Sequence, residues 1–133
     1  MITRLAHLCF IVRDLDAMER FYVDLLGLTE VFTFLDGAGK RRGMYLHAGG
    51  GTFIEMFKGE PTTIEGKPAY QHFCLQVDDL DTVVSHLRQA GVTVTDPKRG
   101  HDRSHQAWIT DPEGNRIELH HYTSESGQRP WVQ

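Results

Sequence analysis

The sequence predicts an α+β fold made of two βαβββ modules. Two repeats carry that reading. Residues 7–16, HLCFIVRDLD, and residues 72–81, HFCLQVDDLD, are identical at six of ten positions at an offset of 65. Self-similarity of this kind means that one supersecondary unit is used twice. The module ends repeat as well. Ile54-Glu55-Met56 matches Ile117-Glu118-Leu119 at an offset of 63, each Ile three residues after a turn glycine, Gly51 or Gly114. Between start and end, the same order of elements is legible in both halves. The 133 residues are therefore read as a single domain, with module one at 4–58, a linker at 59–70, module two at 71–123 and a tail at 124–133.

Within module one, alternation over residues 5–12 predicts a strand with His7, Cys9 and Ile11 on one face and Leu8, Phe10 and Val12 on the other. A helix follows, from Asp14 or Asp16 to Leu26. Asp16 and Glu19 have capping-box spacing, Gly27 suits the position after the last turn, and Leu15, Met18, Phe21, Tyr22 and Leu25 form an apolar stripe. Strands are predicted at 29–35 and 43–48 around a turn at 36–40, with Gly49-Gly50-Gly51 as the hairpin into a strand at 52–57. The polar stretch up to Tyr70 contains Pro61 and Pro68 and reads as a linker.

Module two repeats the order. A strand at 72–77 places His72, Cys74 and Gln76 on one face, and a helix from Asp79 or Asp81 to Ala90 turns Leu80, Val83, Val84 and Leu87 inward, with Gly91 after its end. A strand at 92–95, a basic, His-rich loop at 98–104, a strand at 106–110, a turn at 111–115 and a strand at 116–122 complete the module. The tail is polar and predicted to be irregular, although Trp131 suggests a docking point.

A hydrophobic content of 40%, a charged content of 24%, a formal charge of -4 and a pI near 6.0 are ordinary for a globular domain and offer nothing to a polyanion, so no nucleic-acid partner is expected. No apolar run reaches the length of a membrane span, and the first residues lack a secretory signal, so a cytoplasmic protein without a membrane partner is expected. The two cysteines, Cys9 and Cys74, fill the same slot of each repeat and are expected as small lining residues, not a disulfide.

Each module thus opens with a His and closes with a Glu between two apolar residues. On a strand, Ile54 and Met56 oppose Glu55, and Ile117 and Leu119 oppose Glu118, so both carboxylates should share the face of His7 and His72. A lone strand His or Glu is ordinarily a solvated residue. Four of them at matched slots point instead to a metal centre with His7, Glu55, His72 and Glu118 as ligands. Imidazole and carboxylate suit one divalent ion: Ni²⁺, Co²⁺ or Zn²⁺ foremost, with Fe²⁺ or Mn²⁺ also compatible. Four protein ligands leave open positions where the ion can act as a Lewis acid on substrate oxygens. Of the other histidines, His47, His86, His101 and His105 are expected to be solvated or near strand ends. His120 shares the parity of Glu118, and His121 should face the helix.

These residues resemble the vicinal oxygen chelate superfamily, and most of all its short bacterial lactoylglutathione lyase (glyoxalase I) branch. The resemblance spans nearly all of residues 4–122. It is carried by HLCFIVRDLD with His7, FYVDLLGL, FIEMF with Glu55, YQHFCLQVDDLD with His72, and DPEGNRIEL with Glu118. It implies paired βαβββ modules forming an open, barrel-like cup around the metal, and a His-Glu-His-Glu ligand set. Relatives with extradiol dioxygenase or fosfomycin-modifying activity resemble this pattern with only His, His and Glu, and methylmalonyl-CoA epimerases commonly carry Gln at the position of Glu55. The branch also implies an Arg four residues after the first His and an Asn four after the first Glu, both for glutathione. Here those positions are Ile11 and Gly59, and Arg41, Arg42, Arg99 and Arg103 are the loop cations that could serve in their place.

The expected activity is that of a glyoxalase I-type lyase or isomerase on a small-molecule substrate, a hemithioacetal or α-hydroxycarbonyl. Proton transfer would run through an enediolate held on the metal, with Glu118 and Glu55 as the catalytic carboxylates. The alternatives are an epimerase of the same superfamily, a dioxygenase and a non-catalytic binding module. A homodimer is expected, with the modules paired within one chain or exchanged between two.

Overall fold

The computed structural model describes residues 1–132, so Gln133, the last residue of the expected tail, lies outside the described residues. The chain divides into two compact units, Met1–Lys67 and Pro68–Gln133, and the division falls inside the 59–70 segment. In the first unit β1 (His7–Val12), β2 (Thr29–Leu35), β3 (Arg41–Gly49) and β4 (Thr52–Lys58) form a sheet in the order β1-β4-β3-β2. In the second, β5 (Phe73–Gln76), β6 (Lys98–Arg99), β7 (His105–Thr110) and β8 (Arg116–His121) give β5-β8-β7-β6. The first and last strands of each unit pair in parallel, and the remaining pairs are antiparallel.

That parallel pairing is what joins the two ends of each repeat. Leu8 lies in register with Ile54 and Cys9 with Glu55, and Phe73 with Ile117 and Cys74 with Glu118. Side chains alternate along a strand, so one face of each sheet turns to its helix. Ile54, Met56, Ile117 and Leu119 are at most 2% exposed, and they share the core of their units with Met44, Leu46, Ala107 and Ile109. The opposite face carries the His and Glu of each repeat.

Each unit has one main helical segment. In the first, α1 (Leu15–Glu19) continues as a π-helical stretch, Arg20–Leu25. In the second, α2 spans Leu80–Gln89. Asp14 caps α1, its Oδ1 accepting from Ala17 N–H at 2.9 Å. The capping box expected of Asp16 and Glu19 does not form, because the helix already starts at Leu15 under the Asp14 cap, and Glu19 pairs with the Arg41 guanidinium, which also reaches Glu30 at 3.2 Å and Asp16 at 3.7 Å. The wider winding leaves Phe21 and Tyr22 buried, whereas Leu25, expected on the stripe, is only half-buried. Asp79 caps α2 through Thr82 N–H at 3.0 Å and Thr82 Oγ1 at 2.9 Å.

Two expectations fail. Residues 92–95 are not a strand. Thr95 N–H does reach Trp108 O at 3.1 Å, but Trp108 N–H turns to the Thr95 hydroxyl at 2.9 Å, and Pro97 has no N–H with which to continue a ladder. Pairing resumes at Lys98–Arg99, inside the stretch read as a loop. Trp131 sits on a short 3₁₀ turn, Arg129–Trp131, and is 89% exposed, so it does not dock. The triple glycine behaves as expected. Gly49, Gly50 and Gly51 all have positive φ, a region that side-chain-bearing residues rarely adopt. No helix among the described residues is long and apolar enough to cross a membrane.

Candidate metal centre

The structure builds two half-sites, one on each sheet, from the slots that the repeats share. In the first unit His7 Nε2 lies 3.7 Å from Glu55 Oε2. In the second His72 Nε2 lies 3.3 Å from Glu118 Oε2. Two donors held about 2.0–2.2 Å from one divalent ion lie about 2.8–3.6 Å apart at octahedral or tetrahedral angles. The second pair meets that spacing as it stands, and the first sits just beyond it. All four side chains are imidazole or carboxylate, the donor types such an ion takes. Each pair therefore has the chemistry, and the second also the spacing, of two ligands on one ion.

The register extends the likeness. Tyr45 pairs with Glu55 across β3 and β4, and Trp108 pairs with Glu118 across β7 and β8, again at an offset of 63. Each aromatic ring meets its histidine edge-on: Tyr45 and His7 have centroids 5.9 Å apart, and Trp108 and His72 4.7 Å. Tyr45 Oη is also 3.5 Å from His7 Nδ1. Reading the sequence by ligand type missed this pair of aromatics, although the shared offset could have found them.

The half-sites differ at the next residue along β4 and β8 on the same face. Phe57 stands in the first and His120 in the second. His120 Nδ1 is 2.8 Å from Glu118 Oε1, and the ring is 6% exposed. Cys74, Glu118 and His120 present donor atoms all within 4.8 Å of one another, an alternative ligand cluster. Within it, His120 Nδ1 is engaged by the Glu118 carboxylate, and partial removal from water, reinforced by the nearby Glu118 and Asp102 charges, pushes the Cys74 thiol up to about 12. Beside Glu118 a cleft of about 750 Å³ opens within the second unit, with Lys98, Gln106, Asp102 and Gln128 on its walls. Cys9 and Cys74 are free thiols, both exposed, and Cys74 lines this cleft as expected.

The other histidines fall where their parity sends them. His121 Nδ1 lies 3.2 Å from the Val77 carbonyl on the helix side, and His86, His101 and His105 are exposed. Each of three loop cations has a partner, and Arg99 lines the cleft. Arg41 holds the acidic cluster described above, Arg42 lies over the Phe57 ring at 5.0 Å, and Arg99 pairs with Glu125. Ile11 and Gly59 prove to be neighbours. A Cβ built on Gly59 would lie 2.8 Å from Ile11 Cγ2, so the two positions form one apolar contact with no room for a larger side chain at 59.

Residues 4–119 match the family model of the Glyoxalase/Bleomycin resistance protein/Dioxygenase superfamily. The chain belongs to that superfamily. Among curated relatives, the glutathione transferase FosA of Serratia marcescens is 28% identical over 123 residues, which cover 90% of this chain and 82% of FosA. Among solved structures, TnmS3, an antibiotic binding protein from Streptomyces sp. CB03234, matches with a TM-score of 0.75 at 26% identity, over 92% of this chain and 98% of its own. A lactoylglutathione lyase from Agrobacterium tumefaciens matches with a TM-score of 0.70 at 21% identity, over 99% and 98%, a likeness of fold. The superfamily members similar to this chain thus include two enzymes and a binding protein, and the chemistry of the half-sites has to choose among them.

Proposed function

We propose that this superfamily member is a metal-dependent lyase or isomerase that moves a proton between neighbouring carbons of a hemithioacetal or α-hydroxycarbonyl. The observation that carries the reading is the His–Glu pair at the same slot of both units, 3.7 Å apart in one and 3.3 Å in the other. Glyoxalase-type chemistry calls for four such ligands, and the matched slots supply His7, Glu55, His72 and Glu118 as the set. A bound divalent ion, with Ni²⁺, Co²⁺ or Zn²⁺ suiting these donors, supplies Lewis acidity to two adjacent substrate oxygens.

The protein's own groups do the rest. His7 and His72 present Nε2 and are braced edge-on by Tyr45 and Trp108. Glu118 is the base that takes the proton from one carbon and returns it to the next, and Glu55 is the second carboxylate of the set. The cleft beside Glu118 receives the substrate. Ile11 and Gly59 supply neither the Arg nor the Asn expected to hold glutathione, which favours a small α-hydroxycarbonyl or an epimerase substrate, while Lys98 and Arg99 on the cleft wall are the cations a carboxylated substrate would meet. We further propose a homodimer, with modules exchanged between chains. Refolding a mixture of His7→Ala and His72→Ala proteins should then restore one intact site per heterodimer, and an unexchanged dimer restores none.

A second reading is a glutathione transferase acting on a small electrophile. Two observations favour it: the relationship to FosA, and the wider separation of His7 and Glu55, which suits a three-ligand site of His7, His72 and Glu118. The test is an assay of Ni²⁺- or Co²⁺-loaded protein on three substrates in parallel: methylglyoxal with glutathione, a chiral α-hydroxycarbonyl, and an epoxide with glutathione. Proton transfer should appear in one of the first two and fall at least about a hundredfold in Glu118→Gln. Turnover of the epoxide alone contradicts the proposal.

A further inference from the structure

Glu118 is held differently from Glu55, and the difference leads to the C-terminal segment. The two oxygens of Glu118 face different partners. Oε2 faces His72 Nε2 at 3.3 Å, while Oε1 is 2.8 Å from His120 Nδ1. A carboxylate only accepts, so Nδ1 carries the proton and donates. Glu55 has no such donor two residues along its strand, because Phe57 occupies that place.

His120 is in turn placed from behind. Its buried Nε2 makes no hydrogen bond and faces Asp102 Oδ2 at 3.4 Å. Asp102 is anchored on every side. Its Oδ1 accepts from Ser104 N–H at 3.1 Å, its Oδ2 from Gln128 Nε2 at 2.7 Å, and its carbonyl from Gly127 N–H at 2.8 Å. The buried hydroxyls of Ser104 and Ser126 meet at 2.7 Å and complete the latch.

We propose that residues 123–128 belong to the site as a strap. Gln128 and Gly127 fix Asp102, Asp102 packs against the back of the His120 ring, and His120 holds Oε1 of Glu118 so that Oε2, the oxygen facing His72, is the one presented to the ion and to the substrate proton. His120, Asp102 and Gln128 are thus positioning residues. The inference rests on the metal reading above. A hydrogen-bond partner behind a ligand typically accounts for about ten- to a hundredfold in metal affinity.

The test is titration of the full-length protein with Co²⁺ alone, following the visible absorption of the ion, with thermal unfolding alongside. His120→Phe keeps the ring and removes the donor. It should bind Co²⁺ about ten- to a hundredfold more weakly, with an altered spectrum and an intact unfolding transition. His120→Asn puts an amide donor near the Nδ1 position and should recover most of the affinity. Gln128→Ala, on the strap itself, should weaken binding several-fold, and it keeps the test open if His120→Phe does not fold. Wild-type affinity in His120→Phe, or in Gln128→Ala when His120→Phe is unfolded, overturns the strap while leaving the metal reading standing. No Co²⁺ binding by the wild type overturns the metal reading, and the strap with it.

Discussion

At position 43 a single hydrogen decides how the aromatic residues of the first sheet pack. Gly43 pairs with Phe57 on one side and Phe34 on the other, and those two rings close to 4.7 Å between centroids. A Cβ there would lie 2.5 Å from Met56 O and 2.7 Å from Phe57 Cδ1. The backbone oxygen cannot yield, so Gly43→Ala should cost about 1–3 kcal/mol of stability in urea unfolding. An unchanged midpoint would show that the sheet shifts to accept the methyl group. Parity made much of this scale legible. Ile54, Met56, Ile117 and Leu119 went inside and both Glu residues to the other face because strand alternation is a local rule. His120 was recognised only as sharing the parity of Glu118. Its bond to that carboxylate depends on Asp102 and Gln128, brought up by a loop and a tail, and no local periodicity encodes that.

Among the elements, the two helix starts show where a motif suffices and where it is outbid. Asp14 and Asp79 cap their helices as short acceptors should. The Asp16–Glu19 box lost to the cap at Asp14, two residues earlier, and the strand expected at 92–95 lost to a side-chain hydroxyl at Thr95 and to the missing N–H of Pro97. The Asp79 cap has a signature in pH. Its bonds from Thr82 hold the carboxyl below the ordinary carboxylate value of about 3.9. A group whose pKa is lowered by folding stabilises the fold above its unfolded pKa and loses that contribution as the pH falls through the folded value. Asp79→Ala should therefore lower the melting temperature at pH 7, and the gap to the wild type should narrow below about pH 4. A gap that persists undiminished at pH 2.5 would mean that the carboxylate charge is not what the cap uses.

For the molecule as a whole, the central feature is that one topology, used twice, sets a His at the start of the first strand beside a Glu in the middle of the last. The repeat was legible because both strands keep their residues at a fixed offset. The ligand pairing depends on the parallel contact of β1 with β4 and of β5 with β8, which only the folded chain supplies. The proposed function requires these matched slots to contribute to one ligand set. The most direct measurement is the metal content of wild-type, His7→Ala and His72→Ala proteins after dialysis against the same free Ni²⁺. A shared set gives one Ni²⁺ per chain in the wild type and loss of most of it in both variants. Retention of the full ion in His7→Ala, with loss in His72→Ala alone, would contradict it and assign the metal to the second unit by itself.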